Sequence, residues 1–347
     1  MNTVLTFLQE NAQRLELERL GLSGGMSCVM ITPRFRASSH VVFLVLAQGQ
    51  PDPVLVAKVP RLTGVSASNS VKREVSNLRA IQMARPEGFD SIPRVVAFED
   101  YAGRPILVET ALVGEPMDRA MIRRDLARCC QSVTRWLIDV QRPGVAANTD
   151  GGFRRLVERP LNHFAAAFPL LAEEAQLLKQ TWELVAPLND PALPLVFEHG
   201  DLCHPNLFRL KSGELGVVDW ELAEPHGLPA YDLFFFLTYA AFAQNSAADN
   251  RKCEAAFHKA FFGRSAWARP YVRDYAEQMG LKPHLLTPLF VLTWVRYLSS
   301  LLTRLNENDR GGTLGVENLA TWVRANRYYT LWRHAVDHAG ELNWNEA

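Results

Sequence analysis

Near the start of the chain, apolar residues recur at helical spacing. Val4, Leu5, Leu8 and Leu15 stand among Glu, Gln and Arg and predict an amphipathic helix over 3–20. Gly21, Gly24 and Gly25 end that pattern. Three extended runs follow, Cys28–Thr32, Val41–Ala47 and Val54–Val59, joined by turns rich in Arg, Ser, Gly and Pro, and these predict an antiparallel meander. A helical pattern then runs from about Ser70 to Met83, opening at Asn69 or Ser70 as cap. Two more strands, Arg94–Phe98 and Pro105–Glu109, flank a turn at Asp100–Gly103. The order β-β-β-α-β-β is complete by residue 109.

Beyond Gly114 the pattern changes to long helical stretches, at Arg119–Val140, Leu156–Phe168, Ala172–Val185, Tyr231–Ala243, Cys253–Phe262, Leu285–Leu305 and Val316–His338. Short extended pieces interrupt them at Leu195–Phe197, Leu207–Leu210 and Leu215–Val218. The expectation is an α+β protein with a small antiparallel-sheet lobe over 1–112 and a large, mainly helical lobe over 113–347.

Composition narrows the setting. Lys plus Arg and Asp plus Glu both number 37, so no global field favours nucleic acid or an anionic membrane. The 5 cysteines show no C-x-x-C spacing, as expected of reduced thiols in a cytoplasmic protein. No basic region followed by an apolar one opens the chain, so no signal peptide is expected. The apolar run Leu233–Ala243 is far short of a bilayer span, and neither a nucleic-acid nor a membrane partner is expected. Nothing in the sequence decides between monomer and dimer.

Two stretches carry chemistry. Phe197-Glu198-His199-Gly200-Asp201-Leu202-Cys203-His204-Pro205-Asn206-Leu207-Phe208 and Leu215-Gly216-Val217-Val218-Asp219-Trp220-Glu221 each set polar residues between short apolar strands. Their types suit phosphoryl transfer, which needs positioning and charge neutralisation more than covalent help. Asp201 is placed to accept or orient a hydroxyl proton. Asn206 and Asp219 offer the hard oxygen ligands that Mg²⁺ prefers. The alternative of a metal cluster at His199, Cys203 and His204 lacks the usual ligand spacing.

His-Gly-Asp-x-x-x-x-Asn followed by a short hairpin and Val-Asp-Trp-Glu resembles the aminoglycoside phosphotransferase and choline kinase group of kinase-like enzymes. The resemblance implies a bilobal protein kinase-like fold and a kinase that moves the γ-phosphate of ATP to a hydroxyl of a small molecule. GTP in place of ATP is not excluded. On this match Asp201 is the catalytic base and Asn206 and Asp219 hold Mg²⁺. His199 has a structural role in support of the catalytic loop, bonding backbone of the neighbouring loop. In Pro225-His226-Gly227-Leu228-Pro229-Ala230-Tyr231-Asp232-Leu233, Asp232 is the carboxylate that holds the catalytic loop, although Leu228 departs from the Asp common in the family.

The resemblance extends to the small lobe. Lys58, in Val54-Leu55-Val56-Ala57-Lys58-Val59, occupies the place of the kinase lysine that meets the α and β phosphates, and Glu74 on the next helix is its ion-pair candidate. Gly24, Gly25 and Ser27 resemble a short nucleotide-binding loop, with Cys28 where the family often has Asn. Glu109 and Ala111 fall at the kinase hinge, where backbone groups read the base. Leu22, Ala57 and Phe208 are candidates to pack on the base or to serve as ordinary core. Glu221 is a second-tier candidate for metal or acceptor. Arg34 and Arg36 fall in a turn. A nucleotide-binding pseudokinase with a regulatory or scaffold role is the alternative, opposed by the intact Asp201, Asn206 and Asp219.

Overall fold

The computed structural model describes residues 3–22, 24–31, 40–60, 65–84, 90–142, 145–146, 151–308 and 316–344. The chain forms two compact units. Met1–Pro116 and Asn206–Ala223 make the first; Met117–Pro205 and Glu224–Ala347 make the second.

The first unit is built on a five-stranded antiparallel sheet ordered β1-β2-β3-β5-β4. Its strands are β1 (Met26–Ile31), β2 (His40–Ala47), β3 (Pro53–Pro60), β4 (Val95–Tyr101) and β5 (Arg104–Thr110), with α2 (Val65–Met83) between β3 and β4. Period-2 alternation sorts the two faces. Leu55, Ala57, Ile106 and Val108 point to one face and bury against Val4, Phe7 and Leu8 of α1 (Thr3–Glu10). Leu107 points to the other and packs on Val71 and Val75 of α2. Lys58 is registered opposite Leu107, and Val56 opposite Glu109, so Lys58 and Glu109 share the α2 face.

The expected helix over 3–20 is shorter than its pattern. α1 stops at Glu10, and a 3₁₀ turn at Leu17–Leu20 carries the rest, bounded by left-handed Glu16 (φ 50°) and Gly21 (φ 78°). A second, three-stranded sheet completes the unit, ordered β6-β8-β9 from β6 (Gly114–Pro116), β8 (Leu207–Leu210) and β9 (Leu215–Val217). Gly114 is required there, since a Cβ would lie 2.3 Å from the Arg209 carbonyl oxygen.

The second unit is helical. Its centre is α7 (Tyr231–Gln244), apolar all round, with Phe234, Phe235 and Phe236 fully buried. α10 (Leu286–Asn308) contributes Phe290 and Trp294, which meet Phe257 of α8 (Asn250–Phe261) edge-on and in stacks. The stretch Pro283–Leu305 is long and apolar enough to cross a bilayer, yet 78% of its apolar window is buried within the protein.

The expected helix over 119–140 is two helices, α3 (Arg119–Arg124) and α4 (Leu126–Gln141). Asp118 and Asp125 each accept a backbone N–H of the turn that follows, from Met121 and Arg128. The expected helix over 316–338 divides likewise into α11 (Val316–Ala325) and α12 (Arg327–Asp337), because the Asn326 side chain accepts the Tyr328 N–H. One helix, α9 (Arg269–Met279), and the strand β10 (Glu224–Gly227), paired with β7 (Val196–Glu198), have no counterpart in the sequence expectations.

Candidate active site

In the first unit Lys58 comes from β3 and is almost fully buried. Its ammonium is ion-paired with Glu74 of α2 and lies 3.1 Å from Glu109 Oε1 of β5. Burial alone would lower the Lys58 pKa, but the carboxylates of Glu109, Glu74 and Asp219 outweigh it and hold the pKa well above the ordinary lysine range. The amine is therefore a fixed cation.

Glu74 Oε1 also accepts the Trp220 N–H at 3.3 Å, which ties α2 to the turn that carries Asp219. Asn77, one turn further along α2, donates to the carbonyls of Trp220 (2.9 Å) and Ala223 (3.0 Å). The Trp220 indole N–H returns to the Val217 carbonyl. Asp219 sits in this clamp with φ 70°, left-handed backbone that a non-glycine residue rarely adopts. Strain of this kind persists where surrounding contacts over-determine it.

Asn206 is buried at the start of the same segment, and its carbonyl accepts the Val218 N–H at 3.0 Å. One amide oxygen and one carboxylate are both hard donors of the kind that would hold Mg²⁺. Among the described residues no three His, Cys, Asp or Glu side chains form a metal cage of their own. A shared Mg²⁺ site needs none. The excess of carboxylates around the single Lys58 cation favours a cation there as well.

His40 of β2 is buried beside this group, its Nε2 2.7 Å from Ser70 Oγ and its Nδ1 3.9 Å from Glu221 Oε2. Burial and the Lys58 charge lower its pKa to about 4, against a smaller pull from Asp219, so the ring is neutral at pH 7. Sequence reasoning had no signal for His40.

Other expected nucleotide contacts lie as follows. Gly24 and Gly25 directly precede β1, and Ser27 lies in that strand opposite Leu46. The β1–β2 connection, with Arg34 and Arg36, falls outside the described residues. Leu22 and Ala57 belong to the buried core. The Ala111 N–H is taken by the Val54 carbonyl at 2.9 Å, so that donor is already used. Glu109 sits inside β5 with its side chain turned to Lys58, a feature the hinge reading of its backbone did not anticipate.

In the second unit the loop after β7 carries Asp201. Gly200 has φ 85°, which a side chain would strain. The buried Asp232, at the start of α7, accepts the His199 N–H at 2.7 Å on one oxygen and the Gly200 N–H at 2.9 Å on the other. Gln141 of α4 steadies the arrangement, donating to the Phe197 carbonyl at 3.0 Å and accepting from the Tyr275 hydroxyl. Burial and the Glu198 carboxylate raise the Asp232 pKa; the two N–H donors and the Arg296 guanidinium pull it back.

His199 is buried and its Nδ1 accepts the Asp201 N–H at 3.3 Å. Asp201 itself is half-buried, with the Tyr297 hydroxyl 3.3 Å from its Oδ1. Glu198 is bound by Arg296 at 2.6 Å and by the Leu228 N–H at 2.9 Å. Gly227 leaves room for it, since a Cβ there would meet the Glu198 side chain at 2.4 Å. Tyr297 and Arg296 both come from α10, about a hundred residues beyond the motif, and no local pattern marks them.

Comparison with known proteins agrees with this architecture. Aminoglycoside phosphotransferase APH(4)-Ia superimposes with a TM-score of 0.54 at 12% identity, covering 94% of this chain and 99% of that one. Choline kinase LicA from Streptococcus pneumoniae gives 0.52 at 14% identity, covering 94% and 99%. A thermostable mutant of APH(4)-Ia in ternary complex with ADP and hygromycin B gives 0.53 at 12%, covering 93% and 98%. At such identities the likeness is one of fold. No curated protein sequence matches the chain. The profile described as the phosphotransferase enzyme family matches residues 33–272, well over half of the chain. The chain is therefore a member of the phosphotransferase enzyme family.

Proposed function

We propose that this phosphotransferase moves the γ-phosphate of ATP to a hydroxyl of a small molecule, with Asp201 as base, Asn206 and Asp219 as the Mg²⁺ ligands and Lys58 as the phosphate-binding cation. The observation that carries the reading is the buried Lys58–Glu74 pair, joined through the Trp220 N–H to the turn that presents Asp219. A fixed cation and a strained carboxylate in one unit suit a polyphosphate and its counter-ion.

Bound Mg²⁺ would offset charge on the phosphate oxygens. Lys58 stays protonated at any working pH and binds phosphate without a proton change. Asp232 holds the His199 and Gly200 amides, which fixes the backbone that presents Asp201. Asp201 is exposed enough to meet an acceptor hydroxyl and take or orient its proton, and the Tyr297 hydroxyl limits the rotation of its carboxylate. That a related protein is crystallised with ADP and hygromycin B supports a nucleotide and a small hydroxylated acceptor.

The test is Mg²⁺-dependent ADP formation from ATP, measured against aminoglycosides, sugars, amino alcohols and nucleosides. Asp201→Asn should lower kcat about 10²–10⁴-fold, the usual worth of an acid–base group, with nucleotide affinity retained. Unchanged turnover in that variant would remove Asp201 from the mechanism.

A further inference from the structure

The first unit surrounds one buried ammonium with more anions than it needs. Lys58 is ion-paired with Glu74 and lies 3.1 Å from Glu109 Oε1, and all three side chains are less than a tenth exposed. Asp219 adds a third carboxylate to the field at Lys58. The two glutamates are not equivalent. Glu74 Oε1 is also held by the Trp220 N–H, so it has a second reason to stay. Among the described residues Glu109 has only Lys58 to hold it, and the Oε2 of each glutamate is buried with no hydrogen-bond partner. A buried charged oxygen without a partner is costly and rare in a settled structure. Of the two, Glu109 lacks the second anchor that the Trp220 N–H gives Glu74, so it is the one an arriving group displaces more readily.

Register explains how Glu109 reaches the ammonium. Lys58 pairs with Leu107 and Val56 with Glu109, so Glu109 is the diagonal same-face neighbour of Lys58, within reach of a long side chain. Glu74 and Glu109 engage two of the three ammonium hydrogens, and an incoming phosphate would be a further anion beside two carboxylates on one buried cation. That repulsion falls on the carboxylate held less firmly, which is Glu109.

Resting on the kinase reading above, we propose that Glu109 is an internal stand-in for nucleotide phosphate on Lys58, and that an incoming polyphosphate must displace it. Glu109 is thus a positioning residue that weakens ground-state nucleotide binding and keeps the empty Lys58 in its working pose. Glu74, anchored from both sides, remains on Lys58 throughout. Displacement leaves the Glu109 carboxylate to take a proton. Burial, with Glu74 and Asp219 reinforcing it, already pushes its pKa up to about 7 against the opposing pull of Lys58, so that proton is within reach near neutrality.

The experiment is calorimetric titration of the full chain with ATP and, separately, with inorganic tripolyphosphate, a probe that carries no base. Glu109→Gln keeps the side-chain volume and removes the charge; it should bind both ligands about ten-fold more tightly than wild type. Glu109→Asp, which keeps a carboxylate, should stay closer to wild type. Glu74→Gln should weaken both. If Glu109→Gln leaves both affinities unchanged, or weakens ATP while sparing tripolyphosphate, the proposal is overturned; the second result would assign Glu109 to the base instead. Tighter binding of tripolyphosphate alone would still support it, since the displaced group is phosphate. A thermal midpoint for each variant confirms folding. If neither wild type nor Glu109→Gln binds either ligand, the kinase reading fails and takes this inference with it. Wild-type binding without tightening defeats the inference alone.

Discussion

Asp232→Asn exchanges one carboxylate oxygen for an NH₂ group while leaving shape and volume almost unchanged. Both Asp232 oxygens accept backbone N–H groups in the second unit, from His199 at 2.7 Å and from Gly200 at 2.9 Å. Whichever way the new amide turns, its nitrogen faces one of those donors. One hydrogen bond to a charged group is lost, worth about 1.5–3 kcal/mol, and one buried N–H is left unmet at about 1–3 kcal/mol. Removing the charge also relieves repulsion from Glu198, so a net cost of about 3 kcal/mol is expected, with a thermal midpoint lower by roughly 6 °C at about 2 °C per kcal/mol. Turnover should fall as well, because the N–H groups concerned belong to the Glu198–His199 and His199–Gly200 peptides that lead into Asp201. Thermal unfolding followed by circular dichroism, together with steady-state kinetics on the same preparation, gives both numbers. A midpoint within about 1 °C of wild type and intact kcat would mean that the two N–H groups do not need the charge. The account of the loop would then be wrong.

Two more expectations concern the first unit. Lys58→Met leaves Glu74 and Glu109 buried without their cation; about 3–5 kcal/mol of stability should be lost in chemical denaturation at pH 7, and much of it should return in Lys58→Met/Glu74→Gln. His40, with its pKa lowered from 6.5 to about 4, contributes stability that is complete above pH 6.5 and is lost as pH falls toward 4, up to about 3 kcal/mol. Glu109 acts the other way, its raised pKa favouring the folded state as pH falls through 7 toward 4.5. His40→Gln should therefore flatten or reverse the acid side of the stability profile, and an unchanged slope in urea titrations between pH 4 and 6.5 would refute the assignment.

Much of the fold was legible because its signals are local. Short extended runs between turn residues marked the five strands of the first sheet, and the long apolar periods marked most helices of the second unit. What the sequence hid came from side chains overriding a continuous pattern or from contacts far along the chain. Asp125 and Asn326 each cut an unbroken helical period by capping a new helix. α9 carries Pro270 in its first turn, ends at Gly280 and is rich in charge, so its apolar stripe is thin. The residues of the candidate site that carry a motif stood out at once. Tyr297 and Arg296, Gln141 and Tyr275 did not, because only folding brings α10, α4 and α9 to the loop. Glu109 was noticed for its backbone; its side chain acquires a role only through strand register.

The passage of the chain from the first unit into the second and back has a consequence for synthesis. Trp220 and Ala223 give Asn77 its two acceptors, and the Val217 N–H meets the Ser91 carbonyl. Until residue 223 leaves the ribosome, the first unit lacks two of the three strands of its smaller sheet and the partners of α2. At about 5–20 residues per second, that wait after residue 116 lasts roughly 5–20 s. During it the nascent sheet stands incomplete, a natural client for a chaperone that covers apolar surface.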